Sequence, residues 1–202
     1  MQEYIYKIIP PIIFIQKTTM YSIDSDPFTL NCHPQTPSQA IRAIDVKVEE
    51  SKTGSLMLTF CLVGDISGLR IPESRSPRRA DHLWQHTCLE AFVMEGEGPD
   101  YREFNFSPSG EWAVYAFHSY RNGGVLENEL SPGIVVRKAM DRLELSAEIS
   151  QGLVPHGRPL RLGLSAVVED VDGILSYWAL RHPPGKPDFH HTDAFDLQLE
   201  KF

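Results

Sequence analysis

With 202 residues and 42% apolar side chains, the chain is long enough to bury one good core, and its length suits a single β-sandwich or barrel. A net charge of −8 excludes the basic footprint that nucleic-acid binding requires. Residues 1–19 hold two apolar runs, Tyr4–Ile9 and Ile12–Ile15, split by Pro10-Pro11 and too short to span a bilayer. Glu3 and the lack of a small-residue cleavage site argue against a secretory signal. The expectation is a loosely attached extension ahead of a natural start at Met20, with an edge strand as the alternative, and one domain over 20–202. No later stretch has the length and apolarity of a membrane helix.

After Tyr21 the pattern is strand after strand, separated by Gly, Pro, Asn and Asp clusters. Phe28–Leu30 leads into a connection containing Pro34 and Pro37. Ile41–Ser51 alternates, with Ile44, Val46 and Val48 on one face and Asp45, Lys47 and Glu49 on the other. Ser55–Val63 is nearly all apolar and is expected to be central and covered on both sides. Gly64–Asp81 reads as a long polar loop or a weak edge strand whose arginines, Arg70, Arg75, Arg78 and Arg79, are solvated rather than a phosphate site. Leu83–Met94 resumes the sheet.

The hairpin around Ser107-Pro108-Ser109-Gly110 follows, with Pro and Gly where a type I turn wants them, which predicts Phe106 opposite Glu111. That register puts Arg102, Phe104, Phe106, Ala113, Tyr115 and Phe117 on an apolar core face. It puts Tyr101, Glu103, Asn105, Trp112, Val114 and Ala116 on the other, a mixture suited to a hydroxyl-rich ligand. Asn122-Gly123-Gly124 turns the chain, Ile134–Lys138 and Leu143–Ile149 form another hairpin, and Leu160–Glu169 and Ile174–Leu180 flank a turn at Asp172-Gly173. Ala194–Lys201 closes the pattern with Phe195, Leu197 and Leu199 inward. Many short strands without repeats predict an all-β, antiparallel two-sheet sandwich of jelly-roll type, with an open barrel as the alternative. Cys32, Cys61 and Cys88 form no Cys-x-x-Cys pair, so free thiols in a reducing cytoplasm are expected.

Three stretches carry the chemistry: Leu83–Glu90, Tyr101–Trp112 and Tyr177–His191. Trp84 and Glu90 are six apart, so on a continuous strand they share a face, where a ring stacks on sugar C–H groups and a carboxylate takes hydroxyls. Glu103 and Asn105 cannot lie in dry core without partners at a cost of about 1–3 kcal/mol per unsatisfied group. A network with Arg121 or Arg181 is the structural alternative to a site.

The run from Leu83 to Tyr120, with its Tyr-x-Glu-Phe-Asn-Phe-Ser-Pro-Ser-Gly-x-Trp core, and the tail from Tyr177 to Leu199, with His-Pro-x-Gly-Lys-Pro-Asp-Phe-His-His, resemble the DOMON-like proteins of bacteria. Those in turn resemble family-nine carbohydrate-binding modules. The likeness implies a non-catalytic sugar-binding sandwich in which Trp84 and Trp178 stack on the ligand and Glu90 supplies the carboxylate, with Asn105 and Lys186 as candidate amide and lysine contacts. The full set of ligand-binding candidates is Trp84, Glu90, Tyr101, Glu103, Asn105, Trp112, Trp178, Arg181 and Lys186. The resemblance also raises a haem-binding alternative, with Met94, Met140, His182 and His190 as possible axial ligands, although no Cys-x-x-Cys-His attaches haem. A glycoside-processing enzyme using Glu90 and Glu103 is the second alternative. His190-His191 with Asp188 or Asp193 is disfavoured as a metal site, because adjacent residues on a strand point to opposite faces.

Overall fold

The computed structural model describes residues 20–22, 26–51, 54–127, 130–154 and 159–199. Residues 1–19, where an extension or edge strand is expected, lie outside the described residues. Thirteen strands and four short 3-10 turns make up the regular structure, with no α-helix among the described residues. None of their helical turns is long and apolar enough to cross a membrane.

The strands are β1 Met20–Ser22, β2 Phe28–Cys32, β3 Ile41–Ser51, β4 Leu56–Gly64, β5 Cys88–Glu95, β6 Tyr101–Phe106 and β7 Trp112–Ser119. They continue as β8 Asn122–Val125, β9 Gly133–Lys138, β10 Arg142–Ile149, β11 Leu160–Glu169, β12 Leu175–Ala179 and β13 Leu197–Leu199. One sheet runs β2-β3-β4-β10-β9, with β1 beside β3; the other runs β8-β7-β6-β5-β11-β12, with β13 beside β11. All these pairings are antiparallel, and β2 bonds both β3 and β12, so it joins the two layers. The all-β sandwich follows from the alternation in the sequence. Ile44, Val46, Val48, Leu58, Phe60, Leu62 and Leu145 from the first sheet meet Leu89, Ala91, Phe104, Phe106, Leu162, Leu164 and Ala166 from the second in one dry core.

The structure differs from expectation in which strand is covered on both sides. β4 is central but alternates: Leu56, Leu58, Phe60 and Leu62 are buried, while Met57, Thr59, Cys61 and Val63 are half-buried. Cys61 is therefore less enclosed than its apolar neighbours suggest, whereas Cys88 is buried, and all three cysteines are free. The two-sided strands are β5 and β11, because residues 180–196 fold back over the outer face of the second sheet. Phe195 stacks on Phe92 with ring centroids 5.8 Å apart. A side chain at Gly163 would put its Cβ 2.7 Å from the Phe195 ring, so the bare backbone there is what lets the returning segment lie down.

The second difference is register. Phe106 pairs with Trp112, not Glu111, because Ser107 N–H donates to the Glu111 carbonyl and the loop between those two has three residues, Pro108-Ser109-Gly110. The Ser107 turn forms as expected, with the Gly110 N–H donating to the Ser107 carbonyl, but Gly110 adds a left-handed residue at φ 91° before the strands pair. A type I turn alone would splay twisted strands; the added left-handed residue restores their twist. The slip of one residue leaves the β6 faces as predicted and exchanges those of β7. Trp112 and Val114 enter the core, and Ala113, Tyr115 and Phe117 join Tyr101, Glu103 and Asn105 outside.

Gly110→Ala is expected to destabilise the fold by about 1–3 kcal/mol, since a side chain there adopts an unfavourable φ and meets the Arg75 carbonyl at 3.2 Å. Urea unfolding checks it: the midpoint should fall with an unchanged slope.

Candidate functional site

The outer face of the second sheet forms the floor of a cavity of about 450 Å³. Glu90 from β5, Glu103 from β6, Tyr115 and Phe117 from β7, Val167 from β11 and Tyr177 from β12 line it. His82 and Trp84 close one side, Pro187, Phe189 and His190 another, and Arg121 stands at the β7–β8 turn.

Each wall is fixed by bonds elsewhere. The loop after β4 is stapled to the β6–β7 hairpin: Ala80 N–H donates to the Trp112 carbonyl and Trp112 N–H to the Arg78 carbonyl. Arg75 and Arg78 grip Glu111 at 3.3 and 2.7 Å, and Arg70 pairs with Glu169 at 2.7 Å. These arginines, expected to be merely solvated, thus pin the loop that delivers the Leu83–Gln85 turn and its half-exposed Trp84 to the cavity. The returning segment is held by Asp188, which accepts from the Tyr120 hydroxyl at 2.6 Å and from Arg121 at 2.9 Å. Among the described residues only two non-glycines have positive φ, His82 at 62° and Arg121 at 53°, and both line this cavity. Backbone strain of this kind concentrates at functional sites.

The floor is polar where it is deepest. Among the described residues Glu90, 2% exposed, has one side-chain hydrogen bond, from the Ser165 hydroxyl to Oε2 at 3.4 Å; its Oε1 has no hydrogen-bond partner. Glu103 Oε1 accepts from Asn105 Nδ2 at 2.7 Å, and the Asn105 Oδ1 is itself unpartnered. Burial, and then the neighbouring Glu103 carboxylate, push Glu90 well above the usual carboxylate range against the pull of Ser165 and Arg121. Burial pushes Glu103 up to about 7, although Asn105 and Arg121 favour its charged form. Burial, reinforced by Arg121, holds His190 down at about 4, so its ring is neutral at neutral pH. The Tyr101 hydroxyl accepts from the Arg121 N–H at 3.1 Å and lies 2.8 Å from His190 Nδ1. The other ring nitrogen, Nε2, lies 3.7 Å from Glu103 Oε2.

No protein-family model matches the chain, and no curated protein matches it. Solved structures do. A proposed carbohydrate-binding protein from Bacteroides uniformis superposes with a TM-score of 0.61 at 13% identity, over 92% of this chain and 87% of its own. A family 9 carbohydrate binding module from Caldicellulosiruptor kristjanssonii, in complex with glucose, gives 0.50 at 10% identity, over 92% of this chain and 84% of its own. The likeness is one of fold. It agrees with the two-sheet sandwich expected from the sequence.

Of the residues singled out in the sequence, Trp84, Glu90 and Glu103 line the cavity, and Asn105 and Tyr101 support it from beneath. Trp84 does so from a 3-10 turn rather than a strand, because pairing begins only at Cys88. Trp112 and Trp178 do not reach the cavity: both lie in the core between the sheets, 7% and 4% exposed, and Trp178 Nε1–H donates to Ser176. The stacking pair expected of Trp84 and Trp178 is thus divided, and Tyr177, one residue earlier, occupies the cavity side of β12. Arg181 lies outside the cavity, 3.4 Å from Asp196, and Lys186 is exposed and does not line it. Among the haem-ligand candidates, Met94 is buried away from the cavity lining, Met140 is 92% exposed, and His182 bonds the Asn31 carbonyl; only His190 lines the cavity. Among the described residues no group of three or more His, Cys, Asp or Glu is placed to hold a metal ion. Tyr115, Phe117, Tyr177 and Phe189 are site residues that the sequence pattern did not reveal, and the signal for Tyr115 and Phe117 was the three-residue loop.

Because Glu103 titrates near 7 when folded rather than at 4.5, the folded state binds the extra proton between those values, and its share of stability is lost as pH rises through about 7. Glu103→Gln should remove that share of the slope and leave the chain at least as stable as wild type above pH 7. Thermal unfolding across this range checks it; a variant with the wild-type pH profile contradicts the assignment.

Proposed function

We propose that the chain binds a small hydroxylated ligand, a carbohydrate, in the cavity on the outer face of the second sheet, and does not transform it. The observation that carries this reading is the pairing of two buried carboxylates on the cavity floor with the half-exposed indole of Trp84 at its side. Sugars present hydroxyls that satisfy carboxylate and amide oxygens and C–H faces that pack on rings, so one cavity serves both halves of the molecule. A volume of about 450 Å³ lies within the range of small-molecule pockets. The fold shared with a glucose-bound family 9 module supports the reading, and so does the DOMON-like run from Tyr101 to Trp112. Glu90 and Glu103 stand diagonally on neighbouring strands of one wall rather than on opposite sides of a ligand, which supports binding over glycoside hydrolysis. The free thiols support a reducing, cytoplasmic setting.

A panel of mono- and disaccharides titrated against tryptophan fluorescence tests the reading. Quenching should saturate and should be lost in Trp84→Ala, the tryptophan that lines the cavity, while Tyr177→Ala should weaken binding about tenfold. Trp178→Ala should instead destabilise the fold by about 3–5 kcal/mol, as expected of a core ring. Absence of binding throughout the panel at millimolar concentration would overturn the proposal.

A further inference from the structure

Among the described residues, Glu90 and Glu103 lie in the cavity without a direct ion pair to lysine or arginine; the one cationic side chain lining the same space, Arg121, is held by Asp188 and the Tyr120 hydroxyl. His190, which approaches Glu103, is neutral at neutral pH. Glu90 Oε1 and Asn105 Oδ1 have no hydrogen-bond partner although both residues are buried. A carboxylate left so deep gains more from a positive ligand than from a neutral hydroxyl, because either donor makes a charge-assisted bond but only the cation also offsets the buried charge. The surroundings favour the same sign. Trp84, Tyr115, Phe117 and Tyr177 line the cavity, and aromatic rings attract an ammonium group through their quadrupoles. Tyr115 also stays neutral: burial, with Asp81, pushes its hydroxyl up to about 12.

We propose that the cavity takes a hydroxylated amine, with its ammonium group against Glu90 and Glu103 and its body against the surrounding rings; an amino sugar has that chemistry. The inference rests on the reading of the cavity as a sugar site and names the class of sugar. The ammonium supplies a counter-charge that no direct ion pair gives these carboxyls, so binding favours the ionised form of Glu103, which titrates near 7 in the free chain, and releases a proton to solvent.

Calorimetric titration of the full chain at neutral pH with glucosamine, glucose and N-acetylglucosamine tests it. Glucosamine should bind about tenfold more tightly than either neutral sugar, and that advantage should shrink in Glu90→Gln and in Glu103→Gln. Equal affinity for glucose and glucosamine overturns the ammonium site and leaves the carbohydrate reading standing. Failure of all three to bind at millimolar concentration overturns both. A glucosamine preference that survives both substitutions overturns the role given to these carboxylates. The comparison among the three sugars uses the unmodified chain, so the ammonium preference is measured even where a variant folds poorly.

Discussion

The strict two-residue period of the pleat governs this molecule, because the middle of the second sheet is buried on both faces and each face has a different chemistry. On β6, Phe104 and Phe106 enter the dry core while Tyr101, Glu103 and Asn105 face the other way, one residue out of step. The neighbouring strands repeat the division: Leu89 and Ala91 against Glu90 on β5, Ala166 against Ser165 and Val167 on β11, Trp178 against Tyr177 on β12. A slip of one residue on β5 or β6 would drive carboxylates into the sandwich, where an unpaired buried charge is far costlier than a lost contact. Register is therefore enforced twice over, by the apolar side and by the polar one.

The polar island keeps its place because the elements above it are anchored independently of it. Asp188 ties the returning segment to the β7–β8 turn, Phe195 lies against the bare backbone at Gly163, and Glu111 fastens the arginine-bearing loop to the hairpin. Apart from Arg121, which lines the cavity and also holds Asp188, the bonds that shape the cavity differ from the groups that face into it. Glu90 and Asn105 keep oxygens without partners, each at a cost of about 1–3 kcal/mol, inside a frame held by its own ion pairs and hydrogen bonds. Buried groups without partners destabilise the fold, and the stability comes from elsewhere.

Much of this was legible in the sequence. The alternation of β3, β6 and β10 and the turn residues between strands pointed to the all-β class, and Glu103 with Asn105 stood out because a carboxylate and an amide on a buried face need partners. Trp84 and Glu90 were also legible, though as members of one strand; the polar segment Gln85–Thr87 instead lets the chain leave the sheet, so that they meet from different directions. β7 was misread for a definite reason. The residues of Ser107–Gly110 specify a turn, but the count of loop residues depends on whether Gly110 also adopts a left-handed conformation, and the twist of the paired strands decides that. The same ambiguity separates Tyr177 from Trp178: both are aromatic, and only pairing with Val167 and Ala166 tells which faces the core.

The sequence by itself determined the local character of the strands: their alternation, the presence of acidic and aromatic residues in a sheet, and a charge unsuited to nucleic acid. These are local properties, set by side-chain chemistry and the period of an extended chain. The tertiary structure alone decided which side of each strand is inside, that β5 and β11 rather than β4 are covered twice, and that Trp112 and Trp178 are core while Tyr115, Phe117 and Tyr177 line a cavity. Those outcomes hang on single-residue registers and on a distant segment folding back over the sheet, and pairing energies between strands far apart in sequence fix them.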